Sequence, residues 1–116
     1  MSIRTEKVAS VIKRSIARHI SELAMGNSAG LATVTTVRLS DDLQTARIYI
    51  SIYGGTKTPG EFITILEMHR GEIRHIIGKS IKLRSTPDIK FFIDDTLDQI
   101  DHIQKLLNSV KEVKAD

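Results

Sequence analysis

Residues 45–52 alternate strictly between apolar and polar side chains, and this alternation limits the fold more than any other part of the sequence. The apolar parity consists of Ala46, Ile48, Ile50 and Ile52. The other parity consists of Thr45, Arg47, Tyr49 and Ser51. A period of two indicates a β-strand with one face in a core and the other toward solvent or a partner. The chain must therefore build a sheet that is covered on one side.

A second strand precedes this one, and a tight turn at residues 40–42 joins the two. The apolar positions of the earlier strand switch parity between Val34 and Val37. The strand keeps both sets of apolar residues on its core face if it inserts one extra residue, which is a β-bulge. We therefore predict a hairpin over residues 31–53 with a bulge near residues 35 and 36.

Helices are predicted before and after the hairpin, because apolar residues recur there at intervals of three and four. The first helix covers residues 5–24. The second begins at a capping box formed by residues 58–61. Gly71 lies in its interior at a cost of about 1 kcal/mol relative to alanine, which indicates a kink or a close backbone approach. We expect Gly78 to end this helix.

A third strand region is predicted over residues 81–93, and an acidic final helix over residues 95–113. With 116 residues, the chain has room for one domain, which we place at residues 1–116. The order helix, strand, strand, helix, strand, helix predicts an α+β fold in which the helices cover one face of a three-stranded sheet.

No pattern typical of catalysis or metal binding is found in the sequence. The chain has no cysteine, and its four histidines are scattered over different predicted elements. Lys79 and its neighbours resemble the end of a phosphate-binding loop, but Ile73 occupies the position of the required glycine. No apolar run is long enough to span a bilayer, and the charged N-terminus is unlike a signal peptide. We expect no enzyme activity, no metal or cofactor, no small-molecule substrate, no membrane segment and a cytoplasmic location.

Basic residues are concentrated in two clusters, although the net charge is only +3. The first basic cluster lies on the first helix and consists of Arg4, Lys7, Arg14 and Arg18. The second basic cluster surrounds the glycine-interrupted helix and consists of Arg70, Arg74, Lys79, Lys82 and Arg84. Gly71 in that helix is a further candidate for contact with RNA. Clustered charge attracts a polyanion, so we predict that these residues bind RNA.

Other interpretations of the first cluster are a solvated helix face and a membrane-surface helix. The second of these is disfavoured because the apolar stripe has no Trp or Phe to anchor it. Aromatic residues are few, at two Tyr and three Phe. We expect Phe62 and at least one of Phe91 and Phe92 in the core, so that few rings remain to stack on single-stranded bases. This favours a structured RNA bound through its phosphates and its shape.

Four segments of the chain, taken together, resemble the ribosome-binding factor A family. They are Val-Arg-Leu-Ser-Asp-Asp-Leu at residues 37–43, Ala-Arg-Ile-Tyr-Ile-Ser at 46–51, Ile-Arg-His-Ile-Ile-Gly-Lys at 73–79, and Leu-Arg-Ser-Thr-Pro-Asp-Ile-Lys-Phe-Phe-Ile-Asp at 83–94. The resemblance runs from end to end. It implies a type II KH-like domain, with a kinked second helix, that lacks the Gly-x-x-Gly loop of ordinary KH domains.

The family carries an Ala-x-Gly kink in this helix, and the matching residues here are His69, Arg70 and Gly71. The glycine is kept, whereas the alanine is replaced by histidine. We favour a partly buried His69 that fills space at the kink. A contact between His69 and RNA is the alternative.

The resemblance also implies a function. Family members bind the free 30S small ribosomal subunit and assist late maturation of 16S rRNA, including processing of its 5′ end, and they are associated with growth in the cold. The chain is expected to act as a monomeric, non-catalytic RNA-binding chaperone, with assembly GTPases as further candidate partners. The alternatives are a general KH-type RNA binder and a protein-interaction module without ribosome preference.

Overall fold

The computed structural model describes residues 3–94 of the chain. The elements follow one another as α1 (Ile3–Gly26), β1 (Gly30–Leu39), β2 (Thr45–Gly54), α2 (Pro59–Met68), α3 (Arg70–Ser80) and β3 (Asp88–Ile93). The helix predicted over residues 95–113 lies outside the described residues. The expected α+β fold is confirmed.

The three strands form one mixed sheet in the order β1, β2, β3. β1 and β2 pair antiparallel, whereas β3 lies parallel to β2 at the edge. The register shifts between Val34 and Thr36, which confirms the predicted bulge at Thr35. The Thr35 hydroxyl contacts the Asp94 carboxylate at 2.6 Å, so the bulge also fixes the residue that follows β3.

The helices lie on one face of the sheet, and the core lies between the two layers. α1 contributes Ile12, Ile16 and Ile20, all fully buried, which confirms the predicted apolar stripe. The sheet contributes the apolar parity of β2, and α2 and α3 contribute Phe62, Leu66, Ile73 and Ile77. Each of these large side chains contributes about 1.5–3 kcal/mol by leaving water. The polar parity of β2 lies on the face away from the helices.

The capping box at the start of α2 is formed as predicted. The Thr58 hydroxyl accepts a bond from the Glu61 backbone at 3.2 Å, and the Thr58 backbone donates to the Glu61 carboxylate at 2.9 Å. The bond from the Thr58 backbone and, to a smaller extent, the Thr58 side chain hold the pKa of the Glu61 carboxyl below its ordinary value. Pro59 occupies the first helical position, where its missing N–H leaves no intrahelical bond unmade.

The second predicted helix is divided into α2 and α3 at His69, whose backbone leaves the helical region at φ −105° and ψ 14°. Gly71 lies in the first turn of α3, and a Cβ added there would meet no atom within 4 Å. Packing against the described residues therefore does not require glycine at this position.

Two predicted boundaries are wrong. α3 continues past Gly78 to Ser80, because the backbone N–H of Ile81 still donates to Ile77. A glycine lowers helix stability without ending a helix whose other side chains are held in the core. Of the third strand region, only Asp88–Ile93 pairs with β2, and Pro87, which lacks an N–H, precedes the strand.

Candidate nucleic-acid interface

The first basic cluster lies along the exposed side of α1. Arg4, Lys7 and Arg14 are exposed, and none bonds to another residue within 3–94. Arg18 pairs with Glu22 at 2.9 Å, but the Arg18 side chain is 90% exposed. An ion pair this exposed contributes little and can exchange its partner. These cations are therefore available to an external polyanion.

Arg70 of the second basic cluster is used inside the protein. Its guanidinium bonds to both carboxylate oxygens of Glu67, to Asp88 at 3.3 Å and to the backbone carbonyl of Ile89. It also lies 5.8 Å from the ring centroid of Phe91. Arg70 therefore ties the junction between α2 and α3 to the start of β3.

Arg74, one turn further along α3, has a related role. Its guanidinium donates to the backbone carbonyls of Thr86 at 3.0 Å and Pro87 at 3.3 Å. Pro87 is buried. Arg74 and Arg70 together hold the segment that enters β3. This strand lies at the edge of the sheet and pairs only with β2, so the sheet holds it on one side. Both arginines were predicted to bind RNA, and the structure shows each of them bonded to other residues of the protein.

The remaining residues of the second basic cluster are free. Lys79, Lys82 and Arg84 lie at the end of α3 and in the connection after it, are exposed, and bond to no residue within 3–94. Lys79 in the last turn of α3 is also favoured by the helix dipole. The part of this cluster that can meet RNA is thus the exit from α3.

His69 is partly buried and bonds to Glu72. Its Nδ1 lies 3.2 Å from a Glu72 oxygen, and the Nε2 of His19 on α1 lies 3.3 Å from that same oxygen. The hydrogen bond from His69 lowers the pKa of Glu72, and His19 adds a smaller effect in the same direction. This geometry fits the structural interpretation of His69, in which it supports the break and links it to α1.

A third set of cations was missed by the sequence reasoning. The strand register places Arg38 opposite Arg47, and Arg47 opposite Lys90, on the face of the sheet away from the helices. All three are exposed, and none forms an ion pair within the described part of the chain. The alternation of residues in β2 indicated that Arg47 lies on an open face. Its alignment with Lys90 could not be predicted, because it follows from the parallel pairing of two strands that are distant in the sequence. We call these three residues the cation row.

An aromatic pair lies next to the cation row on the same face. Tyr49 and Phe92 are stacked with ring centroids 5.3 Å apart and an interplanar angle of 22°. Phe92 is 38% exposed, and Tyr53, further along β2, is 71% exposed. Phe62 and Phe91 are in the core, as expected. Tyr49, Tyr53 and Phe92 are thus the three rings that the expected core leaves outside, and all three lie on this face of the sheet.

Within residues 3–94, no three metal-ligating side chains lie close enough to hold an ion, and no helix is long and apolar enough to cross a membrane. Comparison with known proteins gives a direct match instead. The sequence model of ribosome-binding factor A matches residues 4–107. The chain belongs to the ribosome-binding factor A family.

Relatives agree with this assignment over the whole length. The ribosome-binding factor A of Chlorobaculum parvum is 37% identical over 118 aligned residues, which cover 100% of this chain and 98% of that protein. The crystal structure of ribosome-binding factor A from Thermus thermophilus superposes with a TM-score of 0.65 at 20% identity, covering 77% of this chain and 94% of that one. The type II KH-like fold implied by the sequence is thus confirmed.

A further ribosome-binding factor A structure carries information about a partner of that protein. It is a homology model of the Thermus thermophilus protein fitted into a cryo-EM map of a 30S complex. It superposes with a TM-score of 0.54 at 18% identity, covering 72% of this chain and 92% of that one.

Proposed function

We propose that this protein binds the free 30S small ribosomal subunit in the cytoplasm and assists late maturation of 16S rRNA, including processing of its 5′ end. It acts as a non-catalytic RNA-binding chaperone over the domain at residues 1–116. Membership of the ribosome-binding factor A family carries this proposal. The 30S complex of the Thermus thermophilus relative supports the choice of partner. Action as a monomer and contact with assembly GTPases remain predictions.

The free cations provide the physical basis for binding. Arg4, Lys7 and Arg14 on α1 present charge that no described residue neutralises, and Arg18 beside them pairs only with the exposed Glu22. Lys79, Lys82 and Arg84 do the same at the exit from α3. Phosphates that replace counterions at such residues release those ions to solvent, so affinity falls as salt rises. We propose that these two groups are the contacts to rRNA.

Charge reversal on α1 tests the proposal. The double variant Arg14→Glu and Arg18→Glu should lose co-sedimentation with the small subunit, because two attractive contacts become repulsive. Both side chains are exposed, so the variant should melt like the wild type. Lys57→Glu, in the exposed connection between β2 and α2, reverses one cation outside both clusters and controls for charge reversal elsewhere on the surface, at half the change in net charge. Unchanged co-sedimentation of the double variant would remove α1 from the interface. A wild type that does not co-sediment would refute the function itself.

A competition assay distinguishes a ribosome factor from a general RNA binder. Wild-type protein bound to small subunits is challenged with an unrelated structured RNA at equal nucleotide concentration and constant salt. Retention on the subunit supports the proposal, since the subunit offers a specific arrangement of phosphates. Displacement at equal nucleotide concentration would favour the general RNA-binding alternative.

A further inference from the structure

The open face of the sheet has a charge arrangement that its own fold does not explain. Arg38, Arg47 and Lys90 occupy directly opposed positions on three adjacent strands. Adjacent strands lie about 4.8 Å apart, so the row spans roughly 10 Å. Like charges at opposed positions of a sheet are destabilising. Nothing among the described residues offsets this repulsion by an ion pair to the row.

Carboxylates border the cation row without neutralising it. Asp41 lines the cavity on its hairpin side, and Asp94 lines the one on the side of the aromatic pair. The Asp94 carboxylate accepts a hydrogen bond from the Thr35 hydroxyl. Three side chains of one sign, held in line by strands, therefore face outward with their charge available. An external anion with several charges in sequence is the complementary ligand.

The neighbouring row of the sheet narrows the class of polyanion. Thr36, Tyr49 and Phe92 are opposed across the three strands, one step along from the cations. Each aromatic ring of the pair is stacked on the other, and the partly exposed Phe92 lies on the edge strand. A base can extend such a stack only if its own faces are free. Duplex RNA hides its base faces, whereas a single strand offers phosphates and bases side by side.

The chain's own acidic end is a competing occupant. Residues 94–116 carry six acidic and three basic residues, and they follow directly from β3. However, they contain no Phe, Tyr or Trp, and His102 is the one ring among them. The acidic end therefore matches the charge of the cation row but offers little to stack on the rings beside it.

We propose that the open sheet face binds single-stranded RNA, with the cation row on successive phosphates and the pair of Tyr49 and Phe92 stacked on a base. The inference rests on the proposed RNA-binding function and adds a surface on the opposite side of the sheet from α1 and α3. It also adds a single strand to the structured RNA that the scarcity of aromatics favours.

Fluorescence anisotropy with a labelled ten-nucleotide oligouridylate tests the proposal on the full chain. The triple variant Arg38→Gln, Arg47→Gln and Lys90→Gln should bind at least about tenfold more weakly than the wild type. Because each phosphate contact on a single strand contributes about 0.7 to the slope of log affinity against log salt, that slope should become shallower by about two. Phe92→Leu, which keeps apolar bulk but removes the ring, should weaken binding by about fivefold or more.

Matched controls separate this surface from the helical one. Arg14→Glu with Arg18→Glu should keep most oligouridylate affinity while losing the small subunit. Melting by circular dichroism should show the triple variant folded and no less stable, since it removes repulsion. Equal oligouridylate affinity in the wild type and the triple variant would overturn the inference. An absence of oligouridylate binding by the wild type would also overturn it. If that wild type still co-sediments with the small subunit, the proposed function stands.

Nuclear magnetic resonance distinguishes RNA from the acidic end as the occupant. Amide shifts of residues 95–116 are compared between the RNA-free wild type and the triple variant. Unchanged shifts support a face that is open to RNA. Shift changes along that segment would place the acidic end on the cation row and overturn the inference.

Discussion

Replacement of Arg70 should destabilise the fold, although Arg70 belongs to a cluster that the sequence assigns to RNA. In Arg70→Ala, Glu67 and Asp88 lose their cationic partner, and the partly buried carbonyl of Ile89 loses its donor. The ring of Phe91 also loses the guanidinium beside it. The cost should fall on the junction of α2, α3 and β3, which these contacts hold together.

The magnitude follows from the exposure of each partner. A hydrogen bond from a charged group to a partly buried carbonyl is worth about 1.5 kcal/mol. The Arg70 side chain is 33% exposed, so solvent screening limits its ion pairs to about 0.5 kcal/mol together. The cation–π contact adds about 0.5 kcal/mol. We expect Arg70→Ala to lose about 2–3 kcal/mol in total.

Urea unfolding followed by circular dichroism measures this loss. With a slope of about 1 kcal/mol per molar urea for a small domain, the midpoint should fall by about 2 M. Arg84→Ala removes an exposed cation that has no bonded partner within residues 3–94, and it should stay within about 0.5 kcal/mol of the wild type. If the two variants unfold at the same urea concentration, the Arg70 contacts do not stabilise the fold and the residue is available to RNA.

Two further predictions concern the helix break. Gly71→Ala should raise stability by up to about 1 kcal/mol in urea unfolding, because alanine favours the helix and its Cβ meets no described atom. Co-sedimentation of this variant with the small subunit should weaken if RNA approaches the backbone at Gly71. A destabilised variant would contradict this account of the break. The pKa of Glu72 is held below the ordinary value of 4.5, mainly by the hydrogen bond from His69. The ionised Glu72 carboxylate therefore stabilises the fold at pH values above 4.5. The urea midpoint of Glu72→Gln should be below that of the wild type at neutral pH, and the gap should close as pH falls through the lowered pKa; a gap independent of pH would refute this linkage.

Local patterns in the sequence were sufficient to predict the hairpin and the start of α2. The parity switch between Val34 and Val37 required an extra residue, and the strand register places it at Thr35. The capping box of Thr58 and Glu61 acts within four residues, so its bonds depend little on the rest of the fold. Periodicity likewise identified the buried side of α1, since that side follows from helix geometry alone.

Features that depend on contacts between distant segments were predicted less well. The break between α2 and α3 lies at His69. The Glu72 carboxylate contacts both His69 and His19, which lies about fifty positions earlier in the chain. Arg70 and Arg74 could be recognised as one face of a helix by their spacing of four. Their partners in the segment before β3 could not be recognised, because no local pattern relates the two segments. The placement of charge along the sequence therefore identified where basic residues concentrate but could not divide them into structural and free cations.

The sheet explains how one small domain can present cations in two opposite directions. The helices cover one face, and the free cations of α1 and of the α3 exit are exposed on the helical side of the sheet or at its end. The cation row lies on the uncovered face. With both proposals in place, the domain would hold a structured rRNA element and a single strand on different faces. Such an arrangement would let a non-catalytic protein hold an immature rRNA arrangement until one of the two contacts is lost.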